Sequence, residues 1–525
     1  MLTTLILLPL LAALAIALIP RQYRFVIRLV ALGATFCTLL VATKMFLGFD
    51  SAEPGLGGYK FVARVTWVKS LDMNYFVGVD GINVGLIFMG ALVAFAAACV
   101  SWEIKSQEKL YYLLLMVMTG GILGAFASLD LFFFYAFHEF ALIPTFLMIG
   151  LWGRGENRNY ATFKLTLYLS AGALLALVGL LGLYLQVPVA QRTFDLVALT
   201  DYFKANPMAV SAQHWIFGVL LFGFGILVSL WPFHTWAPLG YGAAPTATAM
   251  LHAGVLKKFG LYGLIRIALP LLPAGAQSWM PVLAWLCLGN ILHCGWVAMR
   301  QRDLNLLIGN SSVAHMGFVF LGIASLNLIG VTGAVLIMIA HGLLAALTFG
   351  LSGYLRAQTG TLDMNELGGL LRRLPFIGTA LLMAMLAGCG LPGFANFVGE
   401  ISVLFGAWKG AFGHAHWFVM AAAWGGLVIG AVYMLRAARR ILHGEMSSRW
   451  ADVADATFWR RTPFVLLLAA LLLFGIWPGP LAEKIKPSAD IVVRLATGQT
   501  DKKRPARKLV TESQPGVPPR PGGTI

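Results

Sequence analysis

Charge is what this sequence has little of. Asp, Glu, Lys and Arg make up 11% of its 525 residues, whereas a soluble chain carries about 25%. That shortage excludes a soluble multidomain enzyme, and an apolar content of 59% excludes intrinsic disorder. Cysteine is rare too. Cys37, Cys99, Cys287, Cys294 and Cys389 all fall in apolar stretches without metal-ligand spacing, and Cys287 with Cys294 reads as a helical packing pair. The chain lacks a Walker loop, a dinucleotide fingerprint after a strand, a haem-attachment CxxCH and an HExxH zinc motif. No cofactor or metal therefore has an obvious home in it. Alternating apolar segments are missing as well, which excludes an outer-membrane barrel. What remains is an all-α polytopic membrane protein.

The net charge of +16 invites a nucleic-acid reading, but its distribution argues against one. Nine basic residues lie from Lys484 onward, and most others sit in short loops between apolar runs, with no nucleic-acid-binding motif among them. Spanning runs occur near 2–19, 25–47, 82–102, 110–128, 131–151, 160–185 and 215–232. Seven more follow near 243–268, 280–299, 304–325, 328–354, 374–405, 416–440 and 462–478. This predicts about fourteen transmembrane helices, numbered here 1 to 14 in that order. The first run has no basic region before it and no small-residue cleavage site, so it reads as a retained span. Loops after odd-numbered helices carry Arg21, Lys105, Arg154, Arg300, Arg356, Arg372, Arg440 and Arg461, among others. Loops after even-numbered helices carry chiefly Lys60, Arg64, Lys69, Arg192, Lys204 and Lys409. The positive-inside rule then places odd loops in the cytoplasm and both termini outside, in a bacterial inner membrane.

Two helices read as broken: helix 7 at Pro232 in 231-WPFHTW-236, and helix 12 at Pro392 in 388-GCGLPGFANFVGE-400. Proline removes a backbone hydrogen bond, and the freed carbonyls need protein or water in place of lipid. Matched breaks point to two inverted five-helix repeats, helices 4–8 and 9–13, around a central ion path. The chain then divides into N-terminal helices 1–3 (1–102), a first repeat (110–268), a second repeat (280–440), a C-terminal helix (462–478) and a tail (479–525). The tail, with 502-KKRPARK-508 and 516-GVPPRPGG-523, reads as a basic disordered extension.

Ionisable groups well inside apolar runs carry the functional signal: Glu139 (helix 5), Lys257 and Lys258 (helix 8), His315 (helix 10), His341 (helix 11) and Glu400 (helix 12). One acid or base at the bilayer centre costs ~2.5–3.5 kcal/mol on insertion scales. Such groups must be hydrated, paired or neutralised, and desolvation makes carboxylates and lysines exchangeable proton sites near neutral pH. The ordinary alternative for Glu139, Glu400 and Lys258 is a structural pair between helices. For lone histidines, packing is as good a reading as transport. Lys164 lies near the start of helix 6, where snorkelling explains it. His138, about 100° around the helix from Glu139, tunes it or faces a neighbour.

The segments carrying these groups resemble a known family. They are 76-FVGVDGIN-83, 129-LDLFFFYAFHEFALIPTFLMIGLWG-153, 231-WPFHTW-236 and 244-APTATAMLHAGVLKKFGLYGLIR-266, then 303-DLNLLIGNSSVAHMGF-318, 339-IAHG-342 and 391-LPGFANFVGE-400. They are similar to the antiporter-like subunit M of NADH–quinone oxidoreductase, respiratory complex I, and to its mitochondrial homologue subunit 4. The resemblance implies fourteen helices with inverted repeats and proton translocation driven by electron transfer from NADH to quinone. It implies that NADH, flavin, iron–sulfur clusters and quinone belong to partner subunits. Those partners are the other membrane subunits and the hydrophilic NADH-oxidising arm. By position, Glu139 matches the glutamate tuning the inlet half-channel, Lys258 the central lysine and Glu400 the outlet glutamate. His315 and His341 match histidines of the hydrophilic axis, and Lys164 matches a basic residue common at the start of helix 6.

This chain departs from the family pattern in several places. A helix-7 lysine five residues before the proline is replaced by Leu227, so Glu139 lacks its usual partner. The acidic DAH after PFHTWLP becomes 239-LGYGAAP-245, and Asn305 and Asn310 replace a Lys and a Tyr. Lys257 and His252 are extra. Either His138, His252 or Lys257 substitutes for the lost lysine, or the path is cut and the chain is a scaffold. Retaining Glu139, Lys258 and Glu400 at several kcal/mol favours a working pump. A subunit of a multisubunit sodium/proton antiporter or of an energy-converting membrane hydrogenase is the alternative.

Overall fold

A computed structural model of the protein describes residues 1–51, 55, 57–410, 412 and 414–499. Every apolar run is helical. Among the described residues, eleven helices are long and apolar enough to cross a membrane. The other three runs are helix 1, of 17 residues (Leu2–Leu18), and helices 8 and 12, which are interrupted. Helix 11 (Leu328–Thr359) is the centre of the bundle, buried along almost its whole length, with helix 10 (Leu304–Ala324) beside it. Helices 2, 6, 13 and 14 are buried on one side only.

Both breaks fall where proline predicts. Helix 7 runs as 7a (Val210–Val228) and 7b (Trp236–Ala243), and helix 12 as 12a (Pro375–Gly388) and 12b (Ala395–Trp408). The freed backbone groups find protein partners. Asn290 of helix 9 (Pro273–Arg300) accepts from Trp231 N at 2.8 Å and donates to the Ser229 carbonyl at 2.9 Å. The Trp236 indole donates to the Ile226 carbonyl at 3.1 Å. A Cβ on Gly289 would lie 2.6 Å from the Trp231 ring, so only glycine lets helix 9 approach the break. In chain order helices 7 and 12 are the fourth members of the sets 4–8 and 9–13. The fifth members, helices 8 and 13, each contain a π-helical turn, at His252–Leu256 and Trp424–Ile429.

Three features depart from the sequence reading. Residues 60–79 form an antiparallel hairpin, β1 (Lys60–Val68) and β2 (Met73–Val79), where only a loop was expected. The segment is rich in Val, Phe, Tyr and Trp, which suit a pleated surface, and Asp72 turns it at φ 47. Asp130 ties the hairpin to helix 5 (Leu131–Trp152): its carboxylate accepts from Asn74 N at 2.9 Å and caps Phe132 and Phe133. Burial pushes that carboxyl up to about 6.

The second departure is a short helix, Leu196–Ala205, between helices 6 and 7a. The third corrects the tail: residues Gly479–Thr497 form a helix and are not an extension. Leu481, Ile485, Ala489, Val492 and Ala496 recur at helical spacing and bury one stripe, and Gly498 closes it at φ 69. The remaining tail motifs, 502–508 and 516–523, lie outside the described residues.

Candidate functional site

Helix 8 covers residues 246–271 and widens at His252–Leu256, where Lys257 N bonds to the His252 carbonyl five residues back. Beyond that turn the Ala253 carbonyl accepts Lys258 Nζ at 2.5 Å. The same nitrogen lies 3.0 Å from His341 Nδ1 on helix 11. Lys258 is fully buried and His341 is 2% exposed. A nitrogen–nitrogen hydrogen bond needs one donor and one acceptor. Two neutral groups or one shared excess proton meet that condition, whereas two adjacent cations would repel in this buried setting.

His341 and His315 rings are 5.4 Å apart. His315 Nδ1 faces the Ser311 carbonyl at 2.8 Å, and a carbonyl only accepts, so that nitrogen carries the hydrogen. His315 Nε2 is then the basic nitrogen, and it stands 3.6 Å from Glu400 Oε1 of helix 12b. Glu400 is 4% exposed. Ser311 also meets the Tyr433 hydroxyl at 3.1 Å. Four of the five proton-path residues expected from the sequence thus form one buried row, Lys258–His341–His315–Glu400. Gly390, in the break of helix 12, makes room for it. Its φ of +69 disfavours other residues, and a Cβ there would come within 2.4 Å of Glu400 Oε2.

Glu139 lies apart from this row. Its side chain is 26% exposed, and His138 Nδ1 stands 3.6 Å from its Oε1. The His138 ring stacks on Phe259, with centroids 3.9 Å apart. Leu227 is buried within helix 7a and supplies no charge. His252 stacks on Trp236 at 5.5 Å and is edge-on to Tyr241 at 5.2 Å. Lys257 Nζ lies 3.3 Å from Ser312 Oγ. Lys164 sits 5.7 Å from the ring of Tyr160 on the partly exposed side of helix 6 (Arg158–Leu185).

Sequence reasoning missed several polar residues. Asn290, which sews the helix-7 break, looked like one amide in an apolar run. Tyr433 and Ser311, which flank His315, carry no charge to draw notice. Arg266 was legible, since it lies within the run 243–268. It is buried with Asp80, Nη2 to Oδ1 at 2.6 Å, and bonds the Tyr59 and Tyr262 hydroxyls at 3.0 and 3.2 Å. His234 of the WPFHTW motif faces His293, ring centroids 5.5 Å apart.

The profile of the NADH:quinone oxidoreductase/Mrp antiporter transmembrane family matches residues 128–430. NADH-quinone oxidoreductase subunit M of Rhodobacter capsulatus is 34% identical over 475 residues, 89% of this chain and 90% of the relative. F420H2 dehydrogenase subunit M of Methanosarcina mazei is 33% identical over 88% of this chain and 92% of its own length. Among solved structures, a chain of respiratory complex I from Thermus thermophilus with bound NADH superposes at a TM-score of 0.85. That chain is 29% identical, and the match covers 94% of this chain and 100% of that one. On this sequence match and this fold, the chain belongs to the NADH:quinone oxidoreductase/Mrp antiporter transmembrane family.

Proposed function

We propose that this protein is the proton-translocating antiporter-like membrane subunit of an NADH–quinone oxidoreductase. The observation that carries the reading is the buried row of three bases ending in an acid, Lys258–His341–His315–Glu400. NADH, flavin, iron–sulfur clusters and quinone reside in partner subunits, and this chain performs no redox chemistry. Its partners are the other membrane subunits and, through them, the hydrophilic arm. The arginine-rich loops face the cytoplasm and both termini face the periplasm of a bacterial inner membrane. Helices 4–8 and 9–13 form two inverted repeats, in keeping with their matched breaks.

Each group in the row has a defined task. Lys258 and His341 share one proton, so a change of field at Lys258 moves it onto the imidazole. His341 hands it toward His315, whose Nε2 is free to accept because Nδ1 is fixed on the Ser311 carbonyl. His315 then protonates Glu400, the last group of the row, which releases it outward. Glu139 with His138 biases the inlet side electrostatically, with His138 standing in for the lysine that Leu227 replaces. Lys164 and His252 are auxiliary groups beside this path.

The alternative is a subunit of a sodium/proton antiporter or of an energy-converting hydrogenase, and it keeps the row while changing the partners. The description of the matching family spans both oxidoreductases and Mrp antiporters. A mild-detergent pull-down from native membranes, read by mass spectrometry, distinguishes them. NADH- and quinone-handling subunits are the expected partners. Recovery of small antiporter chains or a hydrogenase module alone would overturn the assignment.

A further inference from the structure

Asn396 has no part in the relay just described, yet it lies one helical turn from its last group. It is fully buried near the start of helix 12b, four residues before Glu400. Neither its amide nitrogen nor its amide oxygen has a hydrogen-bond partner among the described residues. Buried polar groups are normally satisfied by protein or water, so an amide with both atoms unmet marks a place that binds something. A metal cation would satisfy only the oxygen, and an anion only the nitrogen. Water donates and accepts, and so suits both.

The packing of helices 11 and 12b shows where the amide lies. A Cβ on Gly333 would come 2.8 Å from Val403 N, one on Gly399 would come 2.9 Å from Ile337 N, and one on Gly406 would overlap Gly330. The two helices are therefore antiparallel and in close contact, and each step along one is matched by the same step back along the other. Asn396 continues the stripe of Gly399, Val403 and Gly406 at helical spacing, and the matching position on helix 11 is Ala340, the neighbour of His341. On its own helix, Asn396 shares a face with Glu400, their Cβ atoms about 5–6 Å apart. Glu400 Oε1 stands 3.6 Å from His315 Nε2, too far for a direct hydrogen bond. A polar gap of that length is where a bridging water belongs.

We propose that the Asn396 amide binds an ordered water and presents it to Glu400 as the bridge for the proton leaving His315. The proposal rests on the pumping function given above and deepens it by naming how the last gap of the row is crossed. The His315 Nε2–H bond breaks as the water oxygen takes that proton. A different O–H bond of the water breaks as the Glu400 carboxylate takes its proton. The water ends as water, the imidazolium ends neutral and the carboxylate ends as a carboxylic acid, and no electron moves. The amide oxygen accepts a hydrogen bond from the water while it carries the extra proton, and the amide nitrogen donates to it once it is neutral. Asparagine has no charge of its own, so it holds the water without competing for the proton.

The test uses the intact parent complex in proteoliposomes, with proton uptake per electron read by a pH-sensitive dye while electron flow is measured. Asn396→Leu removes both polar atoms at similar size and is expected to lower protons per electron as far as Lys258→Ala does. Asn396→Ser keeps a donor and an acceptor and is expected to retain most of the wild-type ratio. A packing role alone predicts the reverse order, because leucine fills the site whereas serine leaves a cavity. That reverse order, or wild-type stoichiometry in Asn396→Leu with Lys258→Ala impaired, would overturn the water-holding role and leave the pump standing. Wild-type stoichiometry in Lys258→Ala as well would remove the pump itself. If Asn396→Leu fails to assemble, a cryo-electron-microscopy map of the wild-type complex decides. A water within about 3.2 Å of the Asn396 amide supports the proposal, and an amide bonded to protein or facing only apolar atoms would overturn it.

Discussion

Arg266 and Asp80 give the most quantitative prediction. They join helix 8 to the start of helix 3 (Asn83–Val100) at 2.6 Å, with side chains 6% exposed each. Asp80→Ala removes the counter-charge and leaves a guanidinium bonded to the Tyr59 and Tyr262 hydroxyls, with no carboxylate partner among the described residues. Removing one partner of a buried ion pair costs about 3–5 kcal/mol. The loss falls on the end of helix 8, where the π turn Leu264–Ala268 gives less regular backbone bonding. Since 1.4 kcal/mol is tenfold, local opening there becomes roughly two to three and a half decades more frequent. Hydrogen exchange of the amides of residues 264–271 in the intact complex, read by mass spectrometry, measures this. Asp80→Leu combined with Arg266→Met leaves no orphaned charge and is expected to recover most of the protection. A change below tenfold in Asp80→Ala, or additive damage in the pair, would refute the argument.

Other predictions concern the breaks and the helix-5 carboxylate. Asn290→Leu strands the Trp231 amide and the Ser229 carbonyl, at about 1–3 kcal/mol each, so a protease should cut the 229–235 segment faster than in the wild type. Gly390→Ala forces both a positive φ and a contact with Glu400. It is expected to impair proton uptake more than Gly393→Ala, since a Cβ at Gly393 meets nothing within 4 Å. Leu227→Lys should be less damaging with Glu139 present than with Glu139→Gln. A double-mutant cycle in thermal inactivation should give a coupling of about 1 kcal/mol or more, and zero coupling would show that position 227 does not face Glu139.

Much of this was legible in the sequence because lipid leaves few options. A spanning run must be helical, so all fourteen helices followed from apolar length, and Pro232 and Pro392 announced the breaks. Lys258, His315, His341 and Glu400 stood out because charge in such runs is costly. Neutral groups gave no such signal. Asn290, Ser311, Asn396 and Tyr433 are common residue types, and their importance comes from meeting helices far away in sequence. The hairpin of residues 60–79 was missed because its alternation is short and lies between two strong helical runs. The helix Gly479–Thr497 was hidden by Pro487 and by charges on its outer face. His138 beside Glu139 was readable from adjacency alone, whereas the separation of Glu139 from the buried row is a matter of packing.

The account rests on Lys258 as the hinge of the buried row. The most direct measurement is protons translocated per electron by the intact complex carrying Lys258→Ala, with electron transfer measured in the same vesicles. A lowered ratio with electron transfer retained is the predicted result. An unchanged ratio would contradict the claim that protons cross the membrane through this chain.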